Sequence, residues 1–280
     1  ADVNPETFNI DPESIKEKIN ERTKAVMTVA LYGLSPDYDE IMKICKEHNL
    51  FLIEDNAESF LSVYRGKLIG TFGDYASFSF QASKHLTSGE GGMLITNNED
   101  FANKARRFSS LGYAGVNARQ GKITRNDIQD PNYSRHVSLG FNYRMSELQA
   151  AVVLGQLERA EELVDVRVKV ANYYDNAVKG SDLVVRQAEP AGYTNTYWSY
   201  SLILRTDNPS KDWYRFRELY LKNGGDGYYA AWKLSYFEPL FQNEVQNYPG
   251  IRQNYKKGLC PYAEYLQPRM IQLKTNYWNL

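Results

Sequence analysis

Residues 77–92 read SFSFQASKHLTSGEGG, and this stretch is the best single indicator of how the chain folds. Its first part alternates polar and apolar side chains as a β-strand does, and its last part is a glycine-rich turn. Ser79 stands on the strand, and Lys84 follows five residues later. Hydroxyl groups and backbone N–H groups bind phosphate oxygens well, so a strand, a lysine and a glycine turn in this order suit a phosphate-bearing ligand.

Strand-like and helix-like segments alternate around this stretch. Short apolar or alternating runs that are typical of strands occupy residues 25–30, 51–53, 75–80 and 93–96, and helical spacing occupies residues 38–48 and 99–111. Strands that alternate with helices predict an α/β fold with a mainly parallel sheet covered on both faces.

The pattern changes at Met145. Helix-forming residues continue to about Val178 and predict two helices or one bent helix. Residues 198–204 then resemble a strand, and residues 212–222 resemble a helix. We therefore expect a large domain over residues 1–160 and a smaller α+β domain over residues 161–280.

Composition limits the classes of function. Of the 280 residues, 42% are hydrophobic and 24% are charged, which favours a globular protein with a real core. The net charge of -1 gives no reason to expect nucleic acid or an anionic membrane as a partner. Cys45 and Cys260 are too few and too far apart in sequence for a disulfide framework or a metal cluster, and they indicate the cytoplasm.

Asp55 stands at the carboxyl end of the apolar run 51–53, the end of an open α/β sheet where ligands gather. A carboxylate among apolar neighbours needs a partner, and a protonated heteroaromatic nitrogen would serve. A partly buried lysine such as Lys84 can attack an aldehyde. Alone, each residue has a more ordinary explanation: a capping aspartate, or a solvated loop lysine. The ordered set of Asp55, Ser79, Lys84 and the glycine turn is a much stronger indication.

Several blocks of sequence resemble one known family in the same order. These blocks are DVNPETFNID (residues 2–11), IEDNAES (53–59), FSFQASKHLTSGEGG (78–92) and GFNYRMSELQAA (140–151). Together they resemble the DegT family of sugar aminotransferases, within the aspartate aminotransferase fold group. The resemblance is high up to about residue 160 and looser beyond. It implies a three-layer large domain with a mainly parallel sheet, followed by a smaller C-terminal domain.

The resemblance also implies pyridoxal 5'-phosphate as cofactor and a role for each matching residue. Asp55 would pair with the ring nitrogen, Lys84 would form the Schiff base and move the proton, and Ser79 would bind the phosphate. Asn142 would reach the phosphate from the partner subunit of a homodimer. Glu58 stands where the family usually has glutamine near the cofactor's 3-oxygen, so its role is open. No metal is implied.

The implied activity is transfer of an amino group from glutamate or glutamine to a keto-sugar, free or nucleotide-linked, in amino-sugar or polysaccharide biosynthesis. One branch of the family has histidine at the Lys84 position and is a deoxysugar dehydratase. Here lysine holds that position and His85 follows it, which favours amino transfer. A relative without catalysis is the third hypothesis.

Two departures from the family pattern affect these expectations. Family members carry a segment before residues 2–11 that completes the sheet and one wall of the cofactor site, so the chain alone is expected to be unstable or to bind the cofactor poorly. Residues 195–200 and 227–233 are rich in Trp and Tyr where the family usually has substrate-facing histidines. These rings could stack on a sugar or cyclitol or pack between domains, and both interpretations stay open.

Overall fold

The central sheet has four strands, and their order across the sheet is Ala25–Val29, Phe51–Asp55, Tyr75–Ser79 and Gly92–Ile95. A computed structural model describes residues 1–117, 119–120, 123–245, 248 and 255–277. Within them the strands are β1 Ala25–Val29, β2 Phe51–Asp55, β3 Val63–Tyr64, β4 Lys67–Leu68, β5 Tyr75–Ser79, β6 Gly92–Ile95, β7 Val184–Arg186, β8 Tyr193–Thr194, β9 Ser199–Leu204 and β10 Met270–Lys274. The helices are α1 Pro12–Lys18, α2 Tyr38–Glu47, α3 Glu99–Ser109, α4 Arg125–Gln129, α5 Glu147–Leu157, α6 Ala160–Val178, α7 Pro209–Lys222 and α8 Pro261–Leu266.

Strands β1, β2 and β5 are parallel, and β6 runs antiparallel to β5. Helix α2 makes the connection between β1 and β2 and begins where the Asp37 side chain accepts a hydrogen bond from Glu40 N at 3.4 Å. Its buried residues Ile41 and Ile44 pack against the covered face of the sheet. The mainly parallel α/β sheet predicted from the alternation of segments is thereby confirmed.

The opposite face of the sheet is only partly covered. Phe101 of α3 stacks on Tyr75 with a ring-centroid distance of 5.0 Å and meets Phe51 edge-on at 5.7 Å. Met27, further along β1, stays 58% exposed. The α3 helix therefore covers the amino ends of the strands on this face, and the carboxyl ends remain accessible.

The C-terminal residues form a second sheet that packs against helices of its own. Strands β10, β9 and β7 make an antiparallel sheet, and its inner residues Tyr200, Leu202 and Ile271 are buried with residues of α6 and α7. A third small sheet, β4-β3-β8, joins residues from both halves of the chain. The two halves therefore share contacts as well as a chain connection.

Residues 145–178 form two helices, one of the two alternatives that the sequence left open. Helix α5 begins at a capping box in which Ser146 and Gln149 exchange hydrogen bonds, and it ends just before Arg159. Most apolar side chains of α5 are exposed, Leu148 by 81%, whereas Val153 packs against the cluster that contains Phe80. Within the described residues, no helix combines the length and apolar character required for a membrane span.

A buried carboxylate fixes the loop that leads into β5. Glu54 is fully buried on the covered face of the sheet. Its Oε2 accepts a hydrogen bond from Gly70 N at 2.6 Å, and its Oε1 accepts from Phe72 N at 2.7 Å and from Gly73 N at 2.6 Å. Three backbone donors offset the loss of water around the buried carboxylate. Glu54 thus sets the position from which β5 starts.

We expect Glu54→Gln to lower the free energy of unfolding by roughly 2–3 kcal/mol, because one amide oxygen cannot replace two carboxylate oxygens and the amide NH₂ would face backbone donors. Urea denaturation of the purified protein measures this change. The matched control is Glu21→Gln at an exposed turn, which should stay within about 0.5 kcal/mol of wild type. Equal stabilities for the two variants would argue against the role given to Glu54.

Candidate active site

Strand register brings the polar strand-end residues together. Asp55 lies opposite Val29 of β1 on one side and opposite Ser77 of β5 on the other. Paired residues of neighbouring strands point to the same face, and so do residues two apart on one strand, so Asp55, Ser77 and Ser79 share the partly covered face. Ala57 N donates to Asp55 Oδ1 at 3.0 Å, and in the described part of the chain no donor reaches the other oxygen. Gln81 N donates to Ser79 Oγ at 3.2 Å.

Lys84 and Glu58 meet above this edge. Lys84 Nζ lies 3.6 Å from Glu58 Oε1, and the two side chains are only 15% and 17% exposed. Tyr32 N donates to the other Glu58 oxygen at 3.1 Å, which orients the carboxylate. Burial raises the pKa of Glu58; Lys84 and the Tyr32 N–H oppose this effect, and the nearby Asp55 adds to it. A carboxylate with a raised pKa beside an amine is able to accept or return a proton.

The backbone of the Lys84 loop is bonded to the C-terminal unit. Arg167 Nη2 donates to the carbonyl of Lys84 at 2.9 Å and to that of Ser83 at 3.4 Å. Trp198 Nε1 also donates to the Ser83 carbonyl, at 2.9 Å. The Lys84 amine lies 4.6 Å from the centroid of the Trp198 ring, within range for a cation–π interaction. One of the aromatic residues in segment 195–200 therefore contacts the lysine.

His85 faces away from this cluster. It is buried, and its Nε2 lies 2.9 Å from the carbonyl of Thr196. Burial first, and then the charges of Arg167 and Lys84, lower the pKa of His85 to about 3, although the hydrogen bond to Thr196 opposes the shift. The histidine is therefore neutral near pH 7 and is tied to a backbone carbonyl, whereas the amine of Lys84 is the group that meets Glu58.

Asn142 lies in a different environment. It is exposed, pairs with the backbone of Ser110 in an isolated bridge, and its Oδ1 accepts from Arg144 Nε at 2.8 Å. The fold thus brings Asp55, Ser79, Glu58 and Lys84 to one sheet edge of this chain, and Asn142 contacts the segment after α3 instead.

Two residues of the site environment had no place in the sequence expectations. Glu54 precedes Asp55 at the end of a short strand, and its pairing between Thr28 of β1 and Ala76 of β5 on the covered face is what buries it. Arg167 lies on the buried side of α6 with Leu163, Val164 and Val170. The sequence does show that Arg167 is spaced three or four residues from apolar residues of the same helix, which is a sign that it lies on the buried side.

These residues fit an aromatic aldehyde that carries a phosphate. Asp55 has a carboxylate oxygen available for a protonated ring nitrogen, Ser79 presents a hydroxyl at the strand end, and the Lys84 amine is sheltered from solvent but not enclosed. Among the described residues, no group of three or more His, Cys, Asp or Glu side chains is arranged to hold a metal ion. The fold and this donor set suit the class of pyridoxal phosphate-dependent proteins.

Comparison with known proteins gives the family. The chain belongs to the DegT/DnrJ/EryC1/StrS aminotransferase family, which it matches over residues 1–276. It is 34% identical over 275 residues to GDP-perosamine synthase of Escherichia coli O157:H7, which covers 98% of this chain and 66% of that protein. The chain spans about half to two thirds of the length of the first curated relatives it matches.

Solved structures agree with this assignment. Helicobacter pylori PseC, described as an aminotransferase of pseudoaminic acid biosynthesis, has a TM-score of 0.80 at 26% identity, with 98% of this chain and 67% of that chain covered. The E. coli GDP-4-keto-6-deoxy-D-mannose-3-dehydratase, solved with hydrated pyridoxal phosphate, has a TM-score of 0.76 at 26% identity, with 98% and 68% covered. The fold expected from the resemblance is confirmed, and the cofactor of the family is pyridoxal phosphate.

The depressed pKa of His85 makes stability depend on pH. A histidine in the unfolded chain has a pKa of about 6.5, whereas burial lowers the pKa of folded His85 to about 3. Between these values the unfolded state binds a proton that the folded state does not, so stability is lost as the pH falls. His85→Gln keeps an N–H for the Thr196 carbonyl but has no imidazole to protonate. In this range we expect its free energy of unfolding to fall by about 1.4 kcal/mol less than that of the wild type for each unit by which the pH is lowered.

Urea unfolding at several pH values between about 6.5 and about 4.5 measures this slope. The control is His48→Gln, at an exposed position after α2, which should follow the wild-type slope. A wild-type slope in His85→Gln would mean that His85 takes up its proton in the folded protein.

Proposed function

We propose that this chain carries the pyridoxal phosphate site of an aminotransferase that moves an amino group from glutamate or glutamine to a keto-sugar. The observation that carries the proposal is the meeting of Lys84 Nζ and Glu58 at the sheet edge that holds Asp55, while His85 is buried against Thr196. The family and its relatives add support, because GDP-perosamine synthase and PseC bear names that belong to amino-sugar biosynthesis. We extend the same substrate class, a nucleotide-linked keto-sugar, to this chain.

The cofactor supplies an electron sink when bound, which stabilises negative charge on the carbon that loses a proton. Asp55 would keep the ring nitrogen protonated by pairing with it, and Ser79 with the glycine turn would bind the phosphate. Lys84 would bind the aldehyde through Nζ and then carry a proton at the same atom. Glu58, with a raised pKa and its second oxygen fixed by Tyr32 N, would exchange a proton with Lys84 or hold one beside the cofactor.

We propose that residues 1–160 form the cofactor-binding large domain and residues 161–280 the small domain. The break between α5 and α6 and the separate sheet β7-β9-β10 support this boundary. Arg167 and Trp198 of the second unit contact the Lys84 loop of the first, which supports a site bordered by both units.

We also propose a homodimer in which Asn142 completes the site of the partner subunit. Asn142 is exposed and lies in a surface segment with the exposed rings of Phe141 and Tyr143, and the outward apolar side chains of α5, among them Leu148 and Val152, follow it in sequence. An apolar surface of this kind is typical of an interface between subunits. A phosphate-binding asparagine on it would act on a neighbouring chain.

A dehydratase is the second candidate, because the chain shares the fold of the E. coli GDP-4-keto-6-deoxy-D-mannose-3-dehydratase. Burial of His85 against a backbone carbonyl argues for transfer instead. Incubation with glutamate separates the two: conversion of the cofactor to its amine form, followed by amination of an added keto-sugar, supports transfer. Loss of water from the sugar with no amino group moved would support the dehydratase.

We expect Lys84→Ala to abolish the visible absorbance that the wild-type protein gains with pyridoxal phosphate, and to lower amino transfer from glutamate roughly 10²–10⁴-fold, because the amine that binds the aldehyde and carries the proton is gone. Absorbance titration and a glutamate-consumption assay measure the two effects. Lys43→Ala, on the exposed side of α2, is the control. Activity retained in Lys84→Ala would mean that another residue acts as the base. A wild-type protein that gains no cofactor absorbance would indicate a relative without catalysis.

Shared sites can be tested by mixing two defective variants. Lys84→Ala and Asn142→Ala protein should each be impaired, and refolding them together at equal amounts should restore about a quarter of wild-type activity, since half of the dimers are mixed and each has one intact site. Activity of the mixture is compared with each variant refolded alone. No gain on mixing would place Asn142 in the site of its own chain or outside any site.

A further inference from the structure

Arg167 is a buried cation with an unusual set of partners. The residue is 3% exposed in the middle of α6. Within the described ranges, no carboxylate lies within ion-pair distance of its guanidinium. Burial lowers the pKa of Arg167 to about 10, so it stays protonated near pH 7. A buried charge without a counter-ion persists only when hydrogen bonds take the place of water around it.

Those hydrogen bonds connect two segments that are far apart in sequence. Nη2 donates to the carbonyl oxygens of Lys84 and Ser83, on the loop after β5. Nη1 donates to the carbonyl of Trp198 at 3.0 Å and to the hydroxyl oxygen of Thr275 at 3.0 Å. The planar guanidinium can serve both sides because its donors form a rigid fork.

Trp198 contacts both Arg167 and the loop that carries Lys84. Its carbonyl accepts from Arg167, its indole N–H donates to the Ser83 carbonyl, and its ring lies against the Lys84 amine. The amine therefore lies near a fixed aromatic ring on one side and the Glu58 carboxylate, 3.6 Å away, on another. Both the lysine backbone and the tryptophan backbone are held by the same guanidinium.

We propose that Arg167 is a positioning residue for Lys84: it fixes the backbone of the lysine and, through Trp198, the ring beside its amine. The residue acts through Lys84 and Trp198 and contacts no reacting atom. Its importance for amino transfer rests on the proposed function. The placement of the amine is a property of the chain itself and can be measured without substrate or cofactor.

The test compares the rate at which cyanate modifies Lys84 with the rate at exposed Lys43 in the cofactor-free protein, by peptide mass spectrometry at several pH values. In the wild type Lys84 should react more slowly than Lys43, because Trp198 and Glu58 shield its amine. In Arg167→Lys one ammonium group cannot reach both carbonyl segments, so the ratio of the Lys84 rate to the Lys43 rate should rise about tenfold. The same substitution at exposed Arg159, just before α6, is the matched control and should leave the ratio unchanged.

Trp198→Phe provides a second arm if Arg167→Lys folds poorly. It keeps the carbonyl that Arg167 uses and a smaller aromatic ring, and it removes the indole N–H bond to Ser83. Its ratio should rise by about threefold, the effect of losing one neutral hydrogen bond. All rates are measured well below the melting temperature of each variant.

A role confined to global stability predicts a different result. Arg167→Lys would then lower the melting temperature while the Lys84 to Lys43 ratio and its pH profile stay at the wild-type values, and that result would overturn the proposal. An unchanged ratio in Trp198→Phe would overturn the part assigned to Trp198. A wild-type protein that shields Lys84 but transfers no amino group would contradict the proposed function and leave the positioning role intact.

Discussion

The parallel register of β1, β2 and β5 is the constraint on which the site depends. Because Asp55 lies between Val29 and Ser77, the carboxylate and the serines of β5 must emerge at the same edge of the sheet and on the same face. The loops after β2 and β5 then deliver Glu58 and Lys84 above that edge. A slip of one residue in either pairing would turn Asp55 or the serines toward the packed face. The strand register, more than any single contact, brings the residues of the site together.

Three ionisable side chains lie around this edge, Glu54 and Arg167 buried and Glu58 mostly buried, and each is stabilised in a different way. Glu54 is satisfied by three backbone N–H groups of one loop. Arg167 is satisfied mainly by carbonyl oxygens from two segments. Glu58 has one backbone donor and the Lys84 amine, and it alone of the three has a partner that the proposed reaction would change. The first two fix positions, and the third is suited to exchange a proton.

The sequence was sufficient for the parts of the fold and site that depend on local pattern. Strands 25–29, 51–55 and 75–79 and helix α2 follow from short apolar runs and helical spacing. The order of Asp55, Ser79 and Lys84 along the chain indicates a candidate site, and their roles in it stay predictions. Strand β10 and the two-residue strands β3, β4 and β8 were not predicted, because their pairing partners are distant or their runs too short. Arg167 was missed for the same reason: its partners at positions 83, 84, 198 and 275 are brought together only by tertiary packing.

The tryptophan beside Lys84 gives the molecule an internal optical reporter. Of the four tryptophans in the chain, Trp198 has its ring centroid 4.6 Å from the lysine amine and its indole nitrogen bonded to the adjacent backbone. A conjugated chromophore attached to that amine would lie almost in contact with the indole and would quench its emission. Intrinsic fluorescence would then follow occupancy of the lysine without any added label.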